Sequence, residues 1–161
     1  MTENNELSGC TCDKCIDCCN TSPGWFGSIE EVIGAANMMN MPIRVFMYEY
    51  LIREWYYAEV IEVPAPRKNF DKCNGCIWQD EMNKNKKGFV RASWGHNLIT
   101  GFPCIFLTEN NRCSIYESRP LECKISYGCR DTNKNMRQEI EDYWKHNQDW
   151  IMCIMNKEPE R

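Results

Sequence analysis

Cys12-Asp13-Lys14-Cys15-Ile16-Asp17-Cys18-Cys19 sets four thiols in the order C-x2-C-x2-C-C. Two residues between thiolates let a tight loop turn both sulfurs inward while backbone amides point at them, as in zinc knuckles and iron–sulfur loops. A fourth ligand must come from Cys19 or from a remote cysteine. Neighbouring side chains of an extended segment face opposite sides, so Cys18 and Cys19 are not expected to serve one small ion together. Two nearby sites follow, or one site with a spare thiol. Cys73 and Cys76 form a separate C-x2-C pair, and Cys104, Cys113, Cys123 and Cys129 a late group, while Cys10 and Cys153 stand outside these patterns. C-x2-C-x2-C with a distant fourth cysteine is the ferredoxin-like arrangement and favours a [4Fe–4S] cluster on Cys12, Cys15, Cys18 and one late cysteine. Zn2+ in a tetrahedron of thiolates tolerates many spacings and stands close behind.

Composition supports metal over disulfide chemistry. The chain has 161 residues, 12 of them cysteine, and its hydrophobic share of 43% falls to roughly 35% without them, below the usual 45–50%. A chain of this length buries about 70% of its unfolded surface, so small size does not explain the cysteines. Met1 to Glu6 is polar and acidic, without the basic and apolar regions of a secretory signal. No apolar run approaches the roughly 20 residues of a spanning helix. A reducing, cytoplasmic setting is therefore expected, where patterned cysteines bind metal or do redox work. A net charge of −4 and a pI near 5.3 disfavour nucleic acid, whose binders carry a basic stripe. Lys84, Lys86 and Lys87 read as a solvated loop.

The late segment reads Pro103-Cys104-Ile105-Phe106-Leu107, then Cys113-Ser114-Ile115-Tyr116, then Arg119-Pro120-Leu121-Glu122-Cys123-Lys124. With Cys12, Cys15, Cys18 and Cys19, the chain resembles the YkgJ-type cysteine-cluster family of zinc- or iron-chelating domains, also described as Fe–S-cluster-containing. Its signature is CxxCxxCC followed by PCxFL, CxIY, RPxxC and usually arginine. The resemblance spans roughly residues 12 to 124 and implies metal ligation by these cysteines. Lys124 stands where the family usually has arginine, and Cys73, Cys76, Cys129 and Cys153 lie outside the signature. The added cysteines read either as a second site or as buried thiols that pack like small hydrophobes.

Arg119 reads in two ways, as a donor steadying a thiolate-rich centre by a charge-assisted hydrogen bond or as a surface ion pair of little worth. Ser114-x-x-Glu117 can cap a short turn, and Pro120 can begin the next. His96 and His146 are the only histidines and neither has an H-x3-H partner, so both read as non-ligands. Trp25-Phe26 and Trp55-Tyr56-Tyr57 read as core, and the methionines near residues 38–47 as gap fillers. The chain contains no G-x-G-x-x-G, P-loop, G-x-S-x-G or H-E-x-x-H, the motifs of nucleotide binding and hydrolysis.

These ligands need elements to hold them. Residues 1–9 read as a flexible N-terminus, 10–27 as the N-terminal cysteine cluster, 28–59 as two helices, 60–129 as an irregular segment and 130–156 as a C-terminal helix. Ser28-Ile29-Glu30-Glu31 is a capping box, followed by Ile29, Val32, Ile33 and Ala36 on one face. Pro42 opens a second helix whose apolar positions are Ile43, Phe46, Met47, Tyr50 and Leu51, with Glu54-Trp55 as an optional continuation of the same stripe, ending before Pro64. Val60–Val63 and Gly88–Ala92 suit short strands. Met136, Ile140, Tyr143, Trp144, Ile151 and Met155 share a face of the last helix, interrupted at Asn147.

The expected fold is a small, mainly α, metal-stabilised single domain with irregular cysteine-rich loops and a few short strands. The expected function is a module that binds, delivers or scaffolds around iron or zinc, with the metal ion and a protein as partners. An Fe–S-dependent enzyme, transferring electrons or groups, is the alternative. The resemblance extends to flagellin lysine N-methylases through the cysteine cluster only, and nothing in the chain looks like an S-adenosylmethionine pocket.

Overall fold

The computed structural model describes residues 24–55, 61–69, 88–89, 91–93, 103–110, 112–125 and 134–155. Helix outweighs strand among them. Five α-helices, α1 (Ile29–Met38), α2 (Ile43–Tyr50), α3 (Leu121–Ile125), α4 (Lys134–Lys145) and α5 (Gln148–Met155), accompany three strands, β1 (Leu51–Trp55), β2 (Glu62–Pro66) and β3 (Arg91–Ser93). The sheet order is β2-β1-β3, with β2 antiparallel and β3 parallel to β1.

Helix α1 starts at Ser28, whose Oγ accepts from Glu31 N at 3.2 Å, while the Glu31 carboxylate reaches back to the amide of Gly27. It ends in a Schellman motif: Asn40 takes φ 56, its N–H donates to Asn37 O at 3.0 Å, and Met41 N–H donates to Ala36 O at 2.9 Å. Asn tolerates this left-handed position better than most residues. Val32, Ala35 and Ala36 form the buried face, and Ile33, expected there, is 40% exposed. The stripe is centred on the small alanines, which turns Ile33 outward.

Helix α2 buries Phe46 and Met47 and stops at Tyr50, because Leu51 is already extended (φ −118, ψ 156). Leu51, Ile52 and Glu54 are all buried, so both faces of this segment are covered. A helical stripe cannot achieve that, but an inner strand can. Strand β2 runs through Pro64 and Pro66 rather than ending before them. Pro64 faces Arg53, and its carbonyl accepts from Phe26 N at 3.1 Å on the side away from β1. Alternation then aims Glu62, Pro64 and Pro66 outward, where a missing N–H costs the ladder nothing. The Gln148 amide closes the same edge, accepting from Glu62 N at 3.1 Å and donating to Glu62 O at 2.9 Å. Arg53 ties three segments together through an ion pair to Glu62 at 2.9 Å and a bond from Nε to Phe89 O at 2.7 Å.

The C-terminal helix divides in two. His146 N bonds to Asp142 O and Tyr143 O, and Asn147 N donates to Trp144 O at 3.0 Å, tightening the last turn. The Asn147 and Gln148 side-chain amides donate to Tyr143 O and Trp144 O at 2.7 and 2.8 Å. The break lets Ile140, Trp144 and Ile151 all be fully buried. His146 is exposed at this break, and its Nδ1 lies 2.7 Å from Asp142 O.

Trp144 Nε1 donates to Phe26 O at 2.7 Å inside the core. Trp144→Phe leaves that carbonyl without its donor and is expected to cost about 1–3 kcal/mol in chemical denaturation. Met152→Lys, at a position 48% exposed, is expected to stay within about 0.5 kcal/mol of the parent.

Candidate metal centre

Each late signature element is a tight turn that begins or ends on cysteine. Leu107 N donates to Cys104 O at 3.0 Å, Tyr116 N to Cys113 O at 3.2 Å, and Cys123 N to Pro120 O at 2.9 Å. Every one is an i to i+3 bond, so PCxFL, CxIY and RPxxC are the same device used three times. Leu107 and Cys113 form an antiparallel bridge, which sets the first two turns side by side.

Apolar residues inside the turns anchor them. Phe106 is 2% exposed and stacks with Phe46 and Tyr50 of α2 at centroid distances of 5.8 and 5.5 Å. Ile115 is fully buried. The 3-10 turn Tyr116–Ser118 follows with Ile115 at its N-cap position and no side-chain cap. Ser114 therefore does not play the capping role expected for it, since the buried Ile115 fixes the turn by packing.

Cys104 is buried, Cys113 and Cys123 are half-buried, and none of them is in a disulfide. Cys153 is exposed on α5, away from this segment in sequence. Among the described residues no three His, Cys, Asp or Glu side chains come together to hold a metal ion. Cys12, Cys15, Cys18, Cys19, Cys73 and Cys76, together with Cys10, Cys129 and His96, lie outside the described residues.

The chain just after the N-terminal motif does reach the late cysteines. A Cβ placed on Gly24 would meet Cys123 Sγ at 2.8 Å, Cys123 N at 2.9 Å and Glu122 Cβ at 2.9 Å. Only glycine permits this approach of backbone to thiol. Glu122 N also donates to Trp25 O at 3.4 Å. As donors, the turn-held thiols of Cys104, Cys113 and Cys123 are of a type that suits a thiophilic metal such as zinc or iron, and of these Cys123 is the one that Gly24 meets.

Arg119 is 8% exposed. Its Nε donates to Tyr116 O at 3.0 Å, and its guanidinium carbon lies 3.9 Å from the Tyr116 ring centroid. The arginine of RPxxC is thus clamped on the tyrosine of CxIY, and it is not a surface ion pair among the described residues.

Arg67 and Lys68 of the core escaped the reading by sequence, and Glu54 entered it only as an optional position on a helical stripe. Arg67 is 2% exposed and its Nη2 donates to the carbonyls of Leu51 at 3.2 Å, Tyr48 at 3.3 Å and Gly88. Burial lowers its pKa to about 10, against the opposing pull of Glu49 and Tyr48, so it is cationic at neutral pH. Lys68 is 1% exposed and forms an isolated antiparallel bridge with Cys104. Burial lowers Lys68 to about 8, while Cys104 and Glu54 act to raise it. Glu54 is 3% exposed and accepts from Trp25 Nε1 at 3.0 Å. A charged residue on a strand normally signals a solvent face, so only the C-terminal neighbour of a buried strand could have hinted at these roles.

No curated protein and no solved structure matches the chain. The profile of the family described as "CxxCxxCC: Putative zinc- or iron-chelating domain" matches residues 11–143. That match runs from the N-terminal thiols through all three cysteine turns and into α4, and the chain belongs to this CxxCxxCC family.

Proposed function

We propose that the protein is a binding and delivery module for iron, held as a [4Fe–4S] cluster by Cys12, Cys15, Cys18 and Cys123. The observation that carries this reading is the contact of Gly24 with Cys123. Five residues lie between Cys18 and Gly24, a span of at most about 22 Å, which keeps Cys18 within reach of the third turn. Cys104, Cys113 and Cys19, with the Cys73 and Cys76 pair, are thiols for a second site. Zn2+ on the same four thiolates is the second reading, favoured by the family description, which covers either metal.

Such a cluster supplies one-electron chemistry and a zinc ion a closed, redox-silent crosslink. The chain's own residues set the surroundings: Phe106 and Ile115 seat the turns, Gly24 leaves room at Cys123, and Arg119 braces the second turn against the third. Because the ligands come from distant parts of the chain, metal free energy is also folding free energy.

Metal, iron and acid-labile sulfide per chain, measured with the visible spectrum on anaerobically purified protein, test the reading. Iron with sulfide and broad visible absorption is expected. Stoichiometric zinc in a colourless sample would replace the cluster by a structural ion, and a sample without metal would sink both readings. Cys15→Ser and Cys123→Ser are each expected to lose metal and much of their structure, and a variant that kept both its metal and its melting temperature would remove that cysteine from the ligand set. Gly24→Ala forces the backbone off Cys123 and is expected to cost about 1–3 kcal/mol, with a loss of metal in the same elemental analysis.

A further inference from the structure

The chain that leads to Cys73 and Cys76 is pinned against the first of the late cysteines. Arg67 donates from its backbone N to Tyr50 O at 2.9 Å, and its guanidinium holds the carbonyls of Tyr48, Leu51 and Gly88. Ile105 N then donates to Arg67 O at 2.9 Å and Asn69 N to Pro103 O at 2.7 Å, so the antiparallel bridge between Lys68 and Cys104 has a bond on either side. Three residues lie between Asn69 and Cys73, a span of at most about 14 Å. That keeps Cys73 within reach of Cys104.

Cys113 is tied to Cys104 through Leu107. Leu107 N donates to Cys104 O at 3.0 Å, and Leu107 pairs with Cys113 in a bridge flanked by Thr108 N to Arg112 O and Ser114 N to Phe106 O, both 2.8 Å. Such a turn brings its end Cα atoms within about 7 Å, and a non-hydrogen-bonded pair stands about 4.5 Å apart, so the Cα atoms of Cys104 and Cys113 are at most about 12 Å apart. Neither cysteine is in a disulfide. Gly24 meets the remaining late cysteine, Cys123. The backbone therefore sorts the late thiols: Cys123 beside the residues that follow the N-terminal motif, Cys104 and Cys113 beside the residues that precede the C-x2-C pair.

A C-x2-C loop turns two thiolates toward one ion, and zinc closes its tetrahedron with two more from elsewhere in the chain. Four soft sulfur donors suit zinc and exclude the oxygen-seeking cations. We propose that Cys73, Cys76, Cys104 and Cys113 form a structural zinc site, separate from the centre on Cys12, Cys15, Cys18 and Cys123. The inference deepens the reading above and rests on its assignment of Cys123 to the first centre. It gives the second site a ligand set and an ion, and it leaves Cys19 out.

Zinc, iron and acid-labile sulfide per chain are measured on anaerobically purified wild type, Cys73→Ser/Cys76→Ser, Cys113→Ser and Cys19→Ser. The first two variants are each expected to lose about one zinc per chain and to keep the metal of the first centre, while Cys19→Ser keeps both. On the wild type, graded EDTA followed by iodoacetamide and peptide mapping reads the same grouping without any substitution, so the test holds if a variant fails to fold. Cys73, Cys76 and Cys113 are expected to become labelled together as the zinc leaves. A wild type without zinc, unchanged zinc in Cys73→Ser/Cys76→Ser, loss of zinc in Cys19→Ser, or labelling of the three cysteines in step with the N-terminal thiols would overturn the second site. Iron and sulfide in the same samples report on the first centre separately: their absence from a wild type whose zinc still depends on Cys73, Cys76 and Cys113 would sink the cluster and leave the zinc site standing.

Discussion

The short strap Gly24–Gly27 runs through the core with Trp25 and Phe26 buried, and its polar groups have to be satisfied there by other elements. Each finds a different one. Trp25 O accepts from Glu122 at the start of α3, Phe26 N donates to Pro64 on the free edge of β2, and Phe26 O accepts from Trp144 of α4. Gly27 N is taken by Glu31 of α1, and the Trp25 indole by Glu54 of β1. Helices, sheet and cysteine turns are therefore locked to one another through four residues.

The helices were legible where capping and periodicity agree. Ser28 caps α1, and Phe46 and Met47 of α2 are buried as their spacing requires. Legibility failed where tertiary packing covers two faces of a segment, as at Leu51–Trp55, whose apolar positions continue a helical stripe but are buried as a strand. Proline was misleading for a related reason: Pro64 ends a helix or an inner strand, yet on an edge its missing N–H points away from the ladder. The division at Asn147 was foreshadowed by a polar residue on an apolar face, though not the side-chain bonds that make the break stable.

The cysteines of the late segment were legible as types and spacings, and the structure supplies the reason for the spacing. C-x-x-Leu, C-x-x-Tyr and Pro-x-x-Cys are the separations at which a carbonyl meets the amide three residues on. The apolar residue inside each of the first two turns, Phe106 or Ile115, then packs into the core. Arg67 and Lys68 were not legible at all, and Glu54 only as an optional extension of the stripe of α2, never as a buried acceptor for Trp25. Charge reads as solvent exposure in any pattern argument, and only the three-dimensional neighbours of these residues show that they are buried and partnered.

This division of labour bears on how metal would couple to folding. Turns seated by Phe106 on Phe46 and Tyr50, and by the buried Ile115, owe their geometry to hydrophobic packing that needs no ligand. The late thiols are therefore organised in advance, and a metal arriving there loses less free energy to ordering them. Gly24 and Trp25 tie the start of the described chain to the third turn. A metal that joined Cys123 to a ligand earlier in the chain would add a crosslink to this packing, so its binding free energy would be shared with folding.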